Sequence, residues 1–209
     1  MLLALDTSVG SSAALLDADF RVVVEHSIDD SRRHAEVIGD LVSRCLSGAG
    51  ATALDVTAVA VGMGPGPFTG LRVGIAAANT FAFGRGIRVL RVVSHDAVAL
   101  EHLTQTANPV LVTTDARRRE RYYSAYSGLD AHGIPVRVLG PAVDSDDATT
   151  AVTEKHGYAR VDAERIPAGA VGVLAARILE HGREFAGAEP LYLRAPDVTV
   201  AAGRKRVST

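Results

Sequence analysis

The sequence predicts an α/β fold made of two successive lobes with the same order of elements. Two observations carry this. Short apolar runs rich in β-branched residues alternate with stretches of helical periodicity, and the order strand, strand, strand, helix, strand, helix occurs twice. Leu2–Thr7, Ser11–Leu16 and Phe20–His26 read as strands joined by tight turns at Val9-Gly10 and Asp17-Ala18-Asp19. A helix over 32–46 follows, then a strand over 56–61 and a helix over 71–83. The order restarts with strands at 110–114, 121–127 and 136–139. A helix over 146–155, an extended piece at 158–161 and a helix over 170–180 complete it. The polar stretch Thr104–Asn108 before Pro109 marks the boundary, giving lobes of residues 1–105 and 106–209.

Composition narrows the class of protein. The chain has 209 residues, 47% hydrophobic and 22% charged, enough to bury a sizeable core. A net charge of −2 gives no basic stripe of the kind a self-sufficient nucleic-acid binder carries. Cys45 is the single cysteine, so an internal disulfide and a multi-cysteine zinc site are excluded. No apolar run reaches the roughly 18 residues of a membrane span. Met1 leads directly into a strand-like run without a basic leader, so the expectation is a soluble cytoplasmic protein with no membrane partner.

The most informative segment is the loop Gly62-Met63-Gly64-Pro65-Gly66-Pro67-Phe68-Thr69-Gly70-Leu71-Arg72-Val73-Gly74. It joins a strand to the start of a helix. Glycines permit close approach of backbone or ligand, prolines stiffen the loop, and free N–H groups at a helix start suit an anion. The alternative is a buried turn whose glycines only let helix and strand pack tightly. Neither the Walker lysine pattern nor G-x-G-x-x-G is present. Each half also ends its first strand in an aspartate, Asp6-Thr7-Ser8 and Asp115-Ala116-Arg117. Carboxylates facing each other across such a cleft would hold a magnesium ion on nucleotide phosphates; otherwise Asp6, Ser8 and Asp115 cap turns.

Five stretches in order along the chain resemble the bacterial TsaB (YeaZ) proteins of the glycoprotease-like (M22) group. They are Leu5-Asp6-Thr7-Ser8, Arg32-Arg33-His34-Ala35-Glu36, the loop from Gly62 to Gly74, Asp115-Ala116-Arg117 with Tyr122, and Pro190-Leu191-Tyr192-Leu193-Arg194. The resemblance implies a duplicated actin/Hsp70-like (ASKHA, RNase H-like) fold: an N-terminal lobe with the glycine loop and a smaller C-terminal lobe with a basic tail. In this family the cleft is degenerate, so no cofactor is required, and only weak ATP or ADP binding with magnesium is expected, at the cleft or a complex interface. Ala35 stands in place of the family's usual serine, and Gly39-Asp40 where its first helix often has a proline.

The catalytic relative, TsaD, carries two histidines one helical turn apart after its glycine loop, a spacing that points both imidazoles at one metal ion. Here the segment Ile75-Ala76-Ala77-Ala78-Asn79-Thr80-Phe81 has none, and no two of the seven histidines lie three or four residues apart. His95-Asp96 sits at a helix start and reads as capping. There is no nucleophile elbow. The expectation is no catalytic and no metal-binding residue.

The helices flanking the loop offer contact surface instead. Ile38, Leu41, Val42, Cys45 and Leu46 form an amphipathic stripe, for which packing on the chain's own sheet is the default. Ile75 to Ala78 make the second helix apolar on more than one side, and Gly74 with Ala78 forms a small face, followed one turn on by Phe81. The resemblance places His34, Glu36, Ile38, Leu41, Val42, Cys45, Gly74, Ala77, Ala78 and Phe81 at a partner interface. It implies a non-catalytic subunit for threonylcarbamoyl transfer onto tRNA adenosine, paired with TsaD or with itself and joined by the ATPase TsaE, with tRNA bound through the complex. The rival readings are a small ATP-binding kinase or glycoprotease-like hydrolase on the same fold, and a stand-alone nucleotide-binding homodimer. Arg117-Arg118-Arg119-Glu120-Arg121 reads as a solvated hairpin tip or a contact for tRNA phosphates, and Arg204-Lys205-Arg206 as a basic tail.

Overall fold

A computed structural model describes residues 1–30 and 33–194 of the chain; Arg32 and the basic tail lie outside the described residues. The first sheet holds β1 (Leu2–Asp6), β2 (Ser11–Leu16), β3 (Val22–Ile28), β4 (Ala58–Gly62) and β5 (Arg88–Val92), ordered β3-β2-β1-β4-β5. β1 pairs antiparallel with β2 and parallel with β4. The second sheet holds β6 (Val110–Asp115), β7 (Glu120–Leu129), β8 (Pro135–Ser145) and β9 (Ala159–Asp162), ordered β8-β7-β6-β9 with the same strand senses. The second sheet therefore repeats the first without its fifth strand. This is the duplicated actin-like α/β fold that the element order and the resemblance imply.

Period-two alternation splits the first sheet between two cores. Leu3, Leu5, Ala13 and Leu15 pack under α1 (His34–Gly48) and α2 (Phe68–Arg85). Leu2, Ala4, Ala14 and Leu16 face α5 (Ala168–Glu180) in a core that continues to Val110, Val112 and Tyr126 of the second sheet. Burial on both faces explains why these strands are continuous apolar runs. α5, late in the chain, lies on the first sheet, and α3 (Ser94–Gln105) packs against α5, β6, β7 and β8. α4 (Asp146–His156) covers β7 and β8. None of the described helices is long and apolar enough to cross a membrane.

The element order read from sequence omits β5, where Arg88 and Arg91 interrupt a five-residue strand at the sheet edge. It also starts α2 too late. Gly70 and Gly74 disfavour helix by about 1 kcal/mol each relative to Ala, yet the helix begins at Phe68 with Pro67 as N-cap, because both glycines are used in packing.

Candidate functional site

The glycine loop closes on the turn that follows β1. A Cβ on Gly66 would lie 2.7 Å from the Ser8 carbonyl oxygen, and one on Gly70 2.6 Å from that of Thr7. The Thr7 hydroxyl donates to the Gly70 carbonyl (2.7 Å) and accepts from the Gly74 N–H (3.0 Å). Those are the two groups an ideal α-helix pairs with each other, so a side chain from β1 bridges a rung of α2. A Cβ on Gly74 would sit 2.3 Å from that hydroxyl oxygen. Gly64 has φ of +94°, within reach of glycine but not of most residues. Pro65 is buried as well, while Phe68 and Thr69 are exposed. Of the two readings of the loop, the contacts are those of tight helix-on-strand packing.

The two aspartates occupy opposite environments. Asp6 ends β1 with about 1% of its surface exposed. Its Oδ1 accepts from the Ser8 N–H (2.7 Å) and the Ser8 hydroxyl, and its Oδ2 from the Ser94 hydroxyl (2.5 Å). Burial pushes its carboxyl above the ordinary carboxylate range, against these bonds, which favour the ionised form. A Cβ on Gly62 would stand 1.8 Å from Oδ2, so the carboxylate is sealed from the loop side too. Asp115 ends β6 exposed, and its Oδ1 accepts from the Arg117 N–H (3.0 Å). Asp6 with both oxygens engaged does not fit a ligand to a magnesium–nucleotide. Among the described residues no three His, Cys, Asp or Glu side chains come together as a metal site.

His95 and Asp96 do not cap α3. Its N-cap is Val93, with no side-chain capping bond, and both residues reach instead to the second sheet. The buried His95 ring bonds the hydroxyls of Ser124 and Thr114, each at 3.0 Å. Asp96 accepts from the Tyr126 hydroxyl (2.7 Å) and pairs with Arg137 (3.4 Å). Burial, assisted by the Arg137 charge, drives the His95 pKa down to about 3, so the ring is neutral at physiological pH. Neighbouring Ser94 joins the Gly64 backbone to Asp6. His95 and Asp96 thus tie α3 to the second sheet while Ser94 ties it to the first, a link that was not legible beforehand because its partners come from distant strands.

The C-terminal Pro190–Arg194 segment lies across the same region. The Leu191 N–H donates to the Met63 carbonyl (2.9 Å), and Arg72 donates to the Tyr192 hydroxyl (3.1 Å) with its guanidinium 4.0 Å from the Phe68 ring centre. Arg194 donates to the Ala116 carbonyl (2.5 Å) and pairs with Glu120 (3.2 Å). His34, buried at the start of α1, bonds Ser11 (2.8 Å) and lies beside Gly70, while Glu36 is exposed and paired with Arg33 (2.7 Å). Described residues of four of the five motifs thus meet around the glycine loop, and the fifth, Asp115-Ala116-Arg117, is joined to them through Arg194.

The residues assigned to a partner interface divide into two sets. His34, Leu41, Cys45, Gly74 and Ala78 are packed inside the chain, which corrects their assignment, while Glu36 is exposed: a helical stripe turned to its own sheet has the periodicity of an interface stripe. Burial raises the Cys45 thiol to about 11, and it donates to the Ala13 carbonyl. Ile38, Val42, Ala77 and Phe81 instead line an apolar groove of about 410 Å³ between α1 and α2, with Leu5, Gly39, Ala76 and Thr80. Ala76, Thr80 and Phe83 continue the exposed side of α2, and Phe83 is 90% exposed.

Comparison with known proteins fixes the family. The family model for TsaD, tRNA N6-adenosine threonylcarbamoyltransferase, matches residues 27–162. A crystal structure from Pseudomonas aeruginosa, described as similar to the peptidase YeaZ, superposes with a TM-score of 0.75 at 30% identity, covering 92% of this chain and 99% of that one. The chain belongs to the TsaB (YeaZ) group of the TsaD family. The Escherichia coli TsaB, a tRNA threonylcarbamoyladenosine biosynthesis protein, is 32% identical over 134 residues, 64% of this chain and 57% of that protein. An uncharacterized Mycobacterium tuberculosis protein is 38% identical over 145 residues, 68% of this chain. The match spans 64% of the length of that mycobacterial protein.

Proposed function

We propose that this chain is a non-catalytic subunit that pairs with a TsaD-type transferase and supports threonylcarbamoyl transfer onto adenosine of tRNA. The observation that carries the reading is α2. Its inner face is fully used by the chain's own sheet, and its outer side still presents the apolar groove and the 90% exposed Phe83. An apolar face of this kind, rimmed by polar residues, is what a protein partner covers. A second copy of the chain is the occupant when the transferase is missing. Asp6, locked by Ser8 and Ser94, supports a scaffolding cleft over a catalytic one. Weak ATP or ADP binding with magnesium, and attachment of the ATPase TsaE, then belong to the assembled complex in the cytoplasm. Reconstitution tests this. The purified chain alone should leave tRNA unmodified and ATP unhydrolysed, and adding it to the transferase with threonylcarbamoyl-adenylate should raise modification at least tenfold. Full activity of the transferase without this chain would overturn the proposal.

A further inference from the structure

The first rung of the first sheet, counted from Leu2, sets a cation where its neighbours are apolar. The registers Leu16↔Leu2, Leu2↔Ala58 and Ala58↔Arg88 place four residues in one row across β2, β1, β4 and β5. The next row on the same face is Ala14, Ala4, Ala60 and Leu90, because side chains two apart on a strand share a face. That face is the one packed under α5, opposite the face that carries α2. Arg88 thus stands where the next rung has the buried Leu90. Its side chain is exposed, and among the described residues its guanidinium has no hydrogen-bond or ion-pair partner.

A cavity of about 370 Å³ opens beside Arg88. Small-molecule sites run from about 300 to 1,000 Å³. Its apolar walls are Leu2, Ala58 and Leu90 of the sheet, Leu179 in the last turn of α5, and Phe20 of the turn between β2 and β3. Phe20 and Leu179 leave 36% and 37% of their surface exposed. Phe20 has φ of +59°, a left-handed conformation that is costly for a bulky side chain. The turn that holds it is closed by the Asp17 N–H donating to the Arg21 carbonyl (3.0 Å) and the Phe20 N–H to the Asp17 carbonyl (3.2 Å). Two other charges border the cavity, and both are engaged. Asp17 accepts through Oδ1 from the Asp19 and Arg21 N–H groups, each at 2.9 Å, and the Met1 ammonium donates to the Asp55 carbonyl (2.8 Å). Arg88 is the bordering charge left without a partner among the described residues.

We infer that this cavity binds a small carboxylic acid with an unbranched apolar chain, its carboxylate on Arg88 and its chain between Phe20, Leu90 and Leu179. A guanidinium presents paired N–H donors that match a carboxylate, and the apolar walls reward each methylene removed from water. The test is calorimetric titration of the full chain with octanoate, hexanoate, octanol and octylammonium. Octanoate should bind saturably with a Kd below about 1 mM, and about tenfold more tightly than hexanoate, the scale of two buried methylenes. Octanol and octylammonium should bind at least about tenfold more weakly, as the loss of a charge-assisted hydrogen bond requires. Arg88→Gln should melt like wild type, since the side chain is exposed and unpaired, and lose octanoate at least about tenfold. Arg88→Lys should keep most of the affinity, and Phe20→Gly, which suits the left-handed turn but removes the ring, should fold and bind more weakly. Octanol binding as tightly as octanoate, or wild-type affinity in Arg88→Gln, would overturn the inference. Preference for octylammonium would assign the cavity to Asp17 and overturn it equally. So would absence of octanoate binding, or self-association of the chain that Leu179→Gln abolishes, which would give the cavity to a second copy.

Discussion

Replacing His95 with Gln should flatten the acid sensitivity of folding. The ring is buried neutral, with a pKa near 3 against 6.5 for the free side chain. A group depressed in this way contributes stability above its unfolded pKa and loses it as pH falls from 6.5 toward 3, because the unfolded chain takes up a proton the folded one refuses. At pH 7 the unfolded histidine is mostly neutral. At pH 5 it is almost fully protonated while the folded ring is not. The wild type should therefore lose about 2 kcal/mol from this residue between pH 7 and pH 5. Asp6 and Asp96, both raised by burial, run the other way: their contribution is present below the unfolded carboxylate pKa and is lost as pH rises through the folded one. They are present in both proteins, so the comparison cancels them. Urea unfolding of wild type and His95→Gln at pH 7, 6 and 5 reads the difference directly. The variant is expected to be less stable at pH 7, losing two ring hydrogen bonds, with a shallower fall toward pH 5. Parallel pH profiles would refute the assignment of a buried neutral imidazole against the second sheet.

Two further substitutions test the loop. Gly66→Val should cost at least about 1–3 kcal/mol in a thermal or urea melt, because its side chain meets the Ser8 backbone, and an unchanged midpoint would mean the contact is not there. Thr7→Val keeps the volume but removes the hydroxyl bridging Gly70 and Gly74, so a loss of about 1–3 kcal/mol is expected; wild-type stability would show that the helix rung closes by itself.

Much of the fold was legible because its strands carry their burial in the sequence. Leu2–Leu5 and Ser11–Leu16 are apolar or small throughout, and the turn at Val9-Gly10 separates them. Arg88–Val92 was not, since two arginines within five residues break its apolar run at a sheet edge and resemble loop. The direction of α2 was illegible for a different reason. A helix apolar on more than one side has a weak preferred face in its periodicity, so Ala78 and Ala77 could not be told apart, although one is buried in the chain and the other borders the groove. His95-Asp96 read as a local cap because sequence shows neighbours along the chain, while the partners Thr114, Ser124 and Tyr126 come from the other sheet. The family motifs were recognisable singly; that the glycine loop closes on Thr7 and Ser8, with Leu191 and Tyr192 against its other side, needed the structure.

The outer side of α2 is the proposed docking face, and a paired measurement reaches it most directly. Sedimentation of Phe83→Glu and Ala76→Arg is compared with wild type, each alone and with the TsaD-type transferase. Both positions are exposed, so the variants should fold and melt like wild type. Burying an unpaired charge at an interface costs about 3 kcal/mol or more, so heterodimer affinity should fall at least a hundredfold. Folded variants that bind the transferase with wild-type affinity would contradict the claim that this helix is where the partner sits.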